Sequence, residues 1–162
     1  MSDMSVVPEI PLPPPAAQEQ PHLLVEPSAR TYTVAELIQH LRVGNIRVPH
    51  FQRGLRWGTE DAVALVDSML RGYPVGSLLL WHRPAPKEKL QLGNVTIPAP
   101  KADSALYVVD GQQRLTTLLN VLDSVAGMSG TFALVYDLKK EPFTVRARRG
   151  NESDSIPLPT LF

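Results

Sequence analysis

The stretch that most constrains this chain is residues 105–125, ALYVVDGQQRLTTLLNVLDSV, because its apolar period changes in the middle. Residues 105–109 form a short, β-rich apolar run of the length of a buried strand. Asp110-Gly111 interrupts it. Leu115, Leu118, Leu119, Leu122 and Val125 then recur at helical spacing, with Gly127 placed to stop the helix. Asp110-Gly111-Gln112-Gln113-Arg114 therefore stands where a strand hands over to a helix. The first helical turn leaves backbone N–H groups without acceptors and carries the positive end of the dipole, so it attracts anions. Gly111 lets a ligand approach the backbone closely. Arg114 offers a permanently charged fork suited to phosphate oxygens. Gln112 and Gln113 can orient a water or a base edge. Asp110 can cap the helix, hold a metal or polarise a water. A turn, a cap and a solvated arginine are the plainer account of the same five residues.

Composition narrows the partners. At 162 residues there is room for one domain with a modest core, and 43% hydrophobic with 20% charged residues is ordinary for a globular chain. Formal net charge is zero, so nucleic acid would have to be met by a local patch. The absence of Cys excludes disulfides, thiolate chemistry and Cys-ligated metals, and four scattered His do not suggest a zinc site. No apolar run approaches the ~20 residues of a membrane helix, and the N-terminus lacks the basic-then-apolar pattern of a secretory signal. By default, the expectation is a cytoplasmic protein with no membrane partner.

The remaining elements follow in order. Residues 1–28 read as a proline-rich, disordered tail, with seven of the sixteen prolines and no apolar period. Thr33 and Glu36 have capping-box spacing ahead of Val34, Leu37, Ile38 and Leu41, a helix that Gly44 ends. Residues 46–49 read as a short strand. Residues 50–57, HFQRGLRW, have no period; Phe51 and Trp57 either pack on the core or line a pocket, while Gln52 and Arg53 belong to surface or site. Thr59 is expected to cap a helix running to Arg71, with Glu60 and Asp61 in its first turn. Gly76-Ser77 leads into the strand 78–81 and reads either as a strand start or as a backbone and hydroxyl contact to phosphate. Residues 82–104 read as an exposed loop or hairpin with solvated charges. Residues 131–136 and 143–149 read as a late hairpin, whose Arg146, Arg148 and Arg149 form either an exposed basic edge or a nucleic-acid contact. The apolar end at 156–162 suggests truncation or continuation into a second region. The expected fold is α+β over residues 29–162: short helices, a small mixed sheet and a late β-hairpin. Neither a P-loop nor a dinucleotide-binding glycine motif is present.

Four blocks stand in a fixed order: IRVPHFQRGLRW, a capped helix ending SMLRGYP, VGSLLLW and YVVDGQQRLTTL. Together they resemble the N-terminal domain of the GmrSD-type restriction proteins, the DGQQR family related to ParB and sulfiredoxin, over residues 32–162. The resemblance implies a ParB/sulfiredoxin-like fold that binds a nucleoside triphosphate and often hydrolyses it, in prokaryotic defence against phage DNA, especially modified DNA. The DGQQR motif falls on Asp110, Gly111, Gln112, Gln113 and Arg114, and the FQR…W motif on Phe51, Gln52, Arg53 and Trp57. A His-Asn-His nuclease arrangement is absent, so cleavage is expected from an HNH region, C-terminal or in a separate chain.

These readings give a concrete expectation. Arg53 and Arg114 clamp phosphates while amides of residues 111–114 cradle them, with Gln52 and Ser77 contributing contacts and Phe51 and Trp57 lining the pocket. Asp110, Gln112 or Gln113 positions the attacking water, or Asp110 holds magnesium. GTP, ATP, CTP and UTP are not distinguished. Other expected partners are DNA and a second copy of the chain. A ParB-like DNA-binding or nicking module, and a domain that binds nucleotide without turnover, are the alternatives.

Overall fold

Caps and turns set most element boundaries along this chain. The computed structural model describes residues 27–49, 56–139, 144–149 and 153–161. The chain divides into two units, Met1–Thr31 and Tyr32–Phe162. The expected disordered tail lies, apart from residues 27 and 28, outside the described residues.

The second unit opens with α1 (Val34–Arg42). Thr33 Oγ1 accepts from Glu36 N at 3.2 Å while Glu36 Oε2 accepts from Thr33 N at 2.7 Å, the reciprocal box the spacing predicts. Strand β1 (Ile46–Arg47) is shorter than the sequence suggests. Helix α2 (Thr59–Leu70) corrects the expected cap. Gly58 holds the N-cap position, and its N–H donates to Asp61 Oδ2 at 2.9 Å. Thr59 is already helical, and its hydroxyl instead donates to Thr131 O at 3.1 Å. The carboxylate three residues on satisfies the N-cap amide, which releases the threonine for a tertiary contact.

Strand β2 (Leu79–Ala85) leads into a hairpin, β3 (Glu88–Leu92) and β4 (Val95–Ala99), and the chain returns through β5 (Ala102–Asp110). The first sheet has the order β1-β5-β2, with β1 parallel and β2 antiparallel to β5, so it is mixed as expected. The β3–β4 hairpin is the second of the two forms expected for residues 82–104, but it is not simply exposed. Leu90, Leu92, Ile97 and Ala99 are buried in the main core with Ile38, Leu41 and Leu119. Alternating lysines, glutamines and prolines face outward and hide that pattern in the sequence.

Two buried polar side chains fasten this hairpin. Arg47 is 0% exposed; its Nε donates to Gly44 O at 3.1 Å, Nη1 to Pro86 O and to Glu88 Oε1 at 2.9 Å, and Nη2 to Pro100 O. It therefore ties both roots of the hairpin to β1. At the far end Asn120, also 0% exposed, accepts from Asn94 N at 2.7 Å and donates to Leu92 O at 2.8 Å and Thr116 O at 2.7 Å. Buried polar groups are tolerated when bonded in this way.

Helix α3 (Gln112–Leu122) stands at the centre. It turns Leu115, Leu118 and Leu119 to the main core and Val121 to a second cluster with Ala62, Val66, Phe132, Leu134 and Leu158. Each such buried leucine contributes about 1.5–3 kcal/mol relative to exposure. The helix ends before Gly127, because Asp123 leaves it in an extended conformation and its Oδ1 accepts from Val125 N and Ala126 N, both at 2.9 Å. The last sheet, β7-β6-β8, is built from β6 (Leu134–Asp137), β7 (Thr144–Ala147) and β8 (Ser155–Pro157), all antiparallel. The β6–β7 hairpin was expected; β8, three residues ending at a proline, was not.

Candidate anion site at the start of helix α3

The junction of β5 and α3 forms because Gly111 adopts φ 94°, a left-handed conformation that side-chain-bearing residues rarely take. The turn delivers the chain from the sheet into the helix with no cap other than Gly111 itself. Leu115 N bonds Gly111 O at 3.1 Å, so the amides of Gln112 and Arg114 belong to the turn that a helix leaves without intrahelical acceptors. Together with the dipole, these make the start of α3 electropositive.

Arg114 lies within this corner. Its Nη1 donates to Val75 O at 2.9 Å, and its Nη2 lies 3.4 Å from Asp110 Oδ2. The Arg114 side chain is 21% exposed and that of Asp110 is 75% exposed. One arm of the guanidinium is thus fixed by a carbonyl, while the other faces a solvated carboxylate that an incoming anion can displace. Gly76 explains the close approach of the loop before β2: a Cβ there would run into Arg114 Nη1. A Cβ at Gly111 would similarly strike the Leu78 side chain. Both glycines let the backbone close around the arginine.

The expected site residues are placed as follows. Asp110, Gly111, Gln112, Gln113 and Arg114 are consecutive at the end of β5 and in the first turn of α3. Gln113 Oε1 accepts from Arg56 N at 2.8 Å and from Trp57 N at 3.4 Å, so this side chain holds the segment before α2 against α3. Trp57 packs against the main core as a partly buried residue. Ser77 is exposed and follows Gly76 into β2. Phe51, Gln52 and Arg53 lie outside the described residues. The residues that sequence reasoning missed are Val75, whose carbonyl orients Arg114, and Gly76 in its role as backing for the guanidinium. The glycine next to Ser77 was the only signal available, since a carbonyl acceptor leaves no trace in residue type.

The other basic candidates are differently engaged. Arg146 Nε donates to Asp137 Oδ2 at 2.6 Å and Nη1 to Ala147 O at 3.2 Å, which makes Arg146 a structural member of the last sheet. Arg149 is exposed. Among the described residues no group of three His, Cys, Asp or Glu side chains comes together. A magnesium ion binds through one or two carboxylates plus substrate phosphates, and the exposed Asp110 carboxylate beside the helix start suits that requirement. Among the described residues no helix is long and apolar enough to cross a membrane.

Comparison with known proteins supplies the family. An uncharacterized protein of Methanocaldococcus jannaschii is 26% identical over 132 residues, covering 72% of this chain and 22% of that relative. The chain thus spans about a fifth of that relative's length. No solved structure matches the chain, which leaves the ParB/sulfiredoxin likeness an expectation. The family model described as the GmrSD restriction endonuclease N-terminal domain matches residues 34–157, a span from the first residue of α1 to the last of β8. The chain, with its DGQQR corner, belongs to the family of GmrSD restriction endonuclease N-terminal domains.

Proposed function

We propose that this domain binds a nucleoside triphosphate at the start of α3 and hydrolyses it, as the regulatory part of a prokaryotic system directed against phage DNA, modified DNA in particular. The observation that carries the reading is the Arg114 guanidinium, anchored on Val75 O and, among the described residues, otherwise paired to the solvated Asp110, beside the electropositive first turn of α3. A phosphate group exchanges the weak Asp110 contact for a charge-assisted bond to Arg114 and for the first-turn amides.

The chain's own groups divide the work. The amides and Arg114 bind the phosphates and stabilise charge that builds up on them during transfer. Gln113, occupied by the backbone of residues 56 and 57, fixes the wall of the site. Asp110 and Gln112 are then the side chains left to orient the attacking water. Magnesium, when bound with the nucleotide, neutralises phosphate charge. Loss of the γ-phosphate releases its contacts, and this biases an HNH nuclease region, in the same chain or a partner.

Phosphate release from GTP, ATP, CTP and UTP with magnesium tests this reading. Arg114→Ala and Asp110→Ala are each expected to slow release about a hundredfold. Release at the wild-type rate in both variants overturns it. Nucleotide-dependent thermal stabilisation without release assigns the domain to binding alone. A DNA-binding module is the weaker account, because the Arg146 guanidinium is bonded to Asp137 and Ala147 O.

A further inference from the structure

Among the described residues the first sheet packs one face on the core and leaves side chains exposed on the other. Leu80, Leu106 and Val108 turn inward to the main core. On the outer side Leu79 and Trp81 are each 58% exposed, and Val109, at the register shift opposite Leu79 and Leu80, is 48% exposed. Burying large aromatic and aliphatic side chains contributes strongly to binding, and an exposed tryptophan next to two exposed aliphatics has the composition of a recognition surface.

Its position singles out one occupant. Leu79 is the direct cross-strand partner of Asp110, the residue that ends β5 at the anion site, and antiparallel partners share a face. Trp81 follows two residues on, about 7 Å along the same face. The apolar surface therefore begins at the phosphate corner and leads away from it by about one sugar unit. The Arg83 guanidinium stacks over the Trp81 ring, with Cζ 4.7 Å from the centroid, so the indole already serves as a platform for a planar group. A pairing strand is disfavoured at this edge. Pro84 has no N–H, and β2 is irregular between Arg83 and Ala85 as well as between Leu79 and Leu80.

We infer that the outer face of β2 and β5 receives the base of the bound nucleotide, stacked on Trp81 with Leu79 and Val109 beneath the sugar. This rests on the nucleotide reading above and adds the element that reads the base. Aromatic stacking accepts any base, so Trp81 supplies affinity, and preference among bases arises from stacking strength.

Calorimetric titrations separate the two readings. Wild type, Trp81→Ala, Trp81→Gln and Trp81→Phe are titrated with each of the four nucleotides and with inorganic tripolyphosphate. Trp81→Ala and Trp81→Gln are expected to weaken the best nucleotide about tenfold and to leave tripolyphosphate unchanged, with Trp81→Phe recovering most of the loss. If wild type binds tripolyphosphate as tightly as any nucleotide, or if Trp81→Ala weakens both ligands equally or neither, the base does not lie here and the phosphate site stands alone. If wild type binds neither ligand, both readings fall. A fall in molar mass by light scattering in Trp81→Ala, without the selective loss of nucleotide, assigns this face to a second copy of the chain.

Discussion

Arg47 and Arg114 show two ways of holding a guanidinium in one small domain. Arg47 is wholly enclosed, and four acceptors from Gly44, Pro86, Glu88 and Pro100 surround it. Arg114 keeps 21% of its side chain in solvent, with one carbonyl and one solvated carboxylate as partners. Both lie beside glycine-containing turns and both bond backbone carbonyls. The difference is completeness. A fully bonded cation can only hold structure, whereas a partly bonded one retains donors for something that arrives later.

The comparison is tested most severely at Arg47. Arg47→Met is expected to cost about 3–5 kcal/mol in urea unfolding, because Glu88 and three carbonyls lose their buried partner. A cost below about 1 kcal/mol would mean that the enclosure adds nothing. Asn120→Ala should follow with about 1–3 kcal/mol, since Asn94 N and Leu92 O are left unpaired at the hairpin turn. The neighbouring hydroxyls sharpen the contrast in the opposite direction. Thr117 is 0% exposed and its Oγ1 has no hydrogen-bond partner among the described residues, so Thr117→Val is expected to raise stability by about 1 kcal/mol. A loss on that change would reveal a bond that the hydroxyl makes. Arg114→Ala should cost about 1 kcal/mol or less of stability, as befits an exposed pair, while removing nucleotide binding. A large stability loss there would make Arg114 a second Arg47.

The smallest effect is a pH effect at α1. The backbone N–H and hydroxyl of Thr33 hold the Glu36 carboxyl below its ordinary value. A depressed folded-state pKa means that this contribution is present above the unfolded pKa and is lost as pH falls through the folded one. Glu36→Gln should therefore lower the neutral plateau of a stability-against-pH curve slightly and leave its acid end in place, which flattens the limb between them. An unchanged limb would show that the box does not titrate with folding.

Local signals were legible in the sequence, and signals made by distant partners were not. The Thr33–Glu36 box, the leucine series of α3, the Asp110-Gly111 handover and the late hairpin each depend on neighbours within a few residues and each formed, although α3 stops at Leu122 short of Val125 and the strand expected over residues 131–136 begins at Leu134 after a 3-10 turn. A hairpin over residues 82–104 was open to the sequence, but its burial was hidden because prolines and lysines dominate its outward positions, although Leu90, Leu92 and Ile97 alternate beneath them. An arginine between Ile46 and Val48 carries no sign that Pro86 and Pro100 will supply its acceptors. Arg146 looked available for the same reason, since Asp137 is brought to it only by β6–β7 pairing. At the candidate site the residue types were readable, but the tie from Gln113 to the 56–57 backbone was not.

That tie has a consequence for the order in which the molecule assembles. Gln113 joins segments 56 and 57 positions apart, so its two hydrogen bonds cannot form until the chain between them has closed on itself. Closing so long a loop is entropically slow, and contacts of this range arrive after local helices and turns. A ribosome releasing this chain must therefore emit everything from Arg56 to Gln113 before the corner at the start of α3 can be closed.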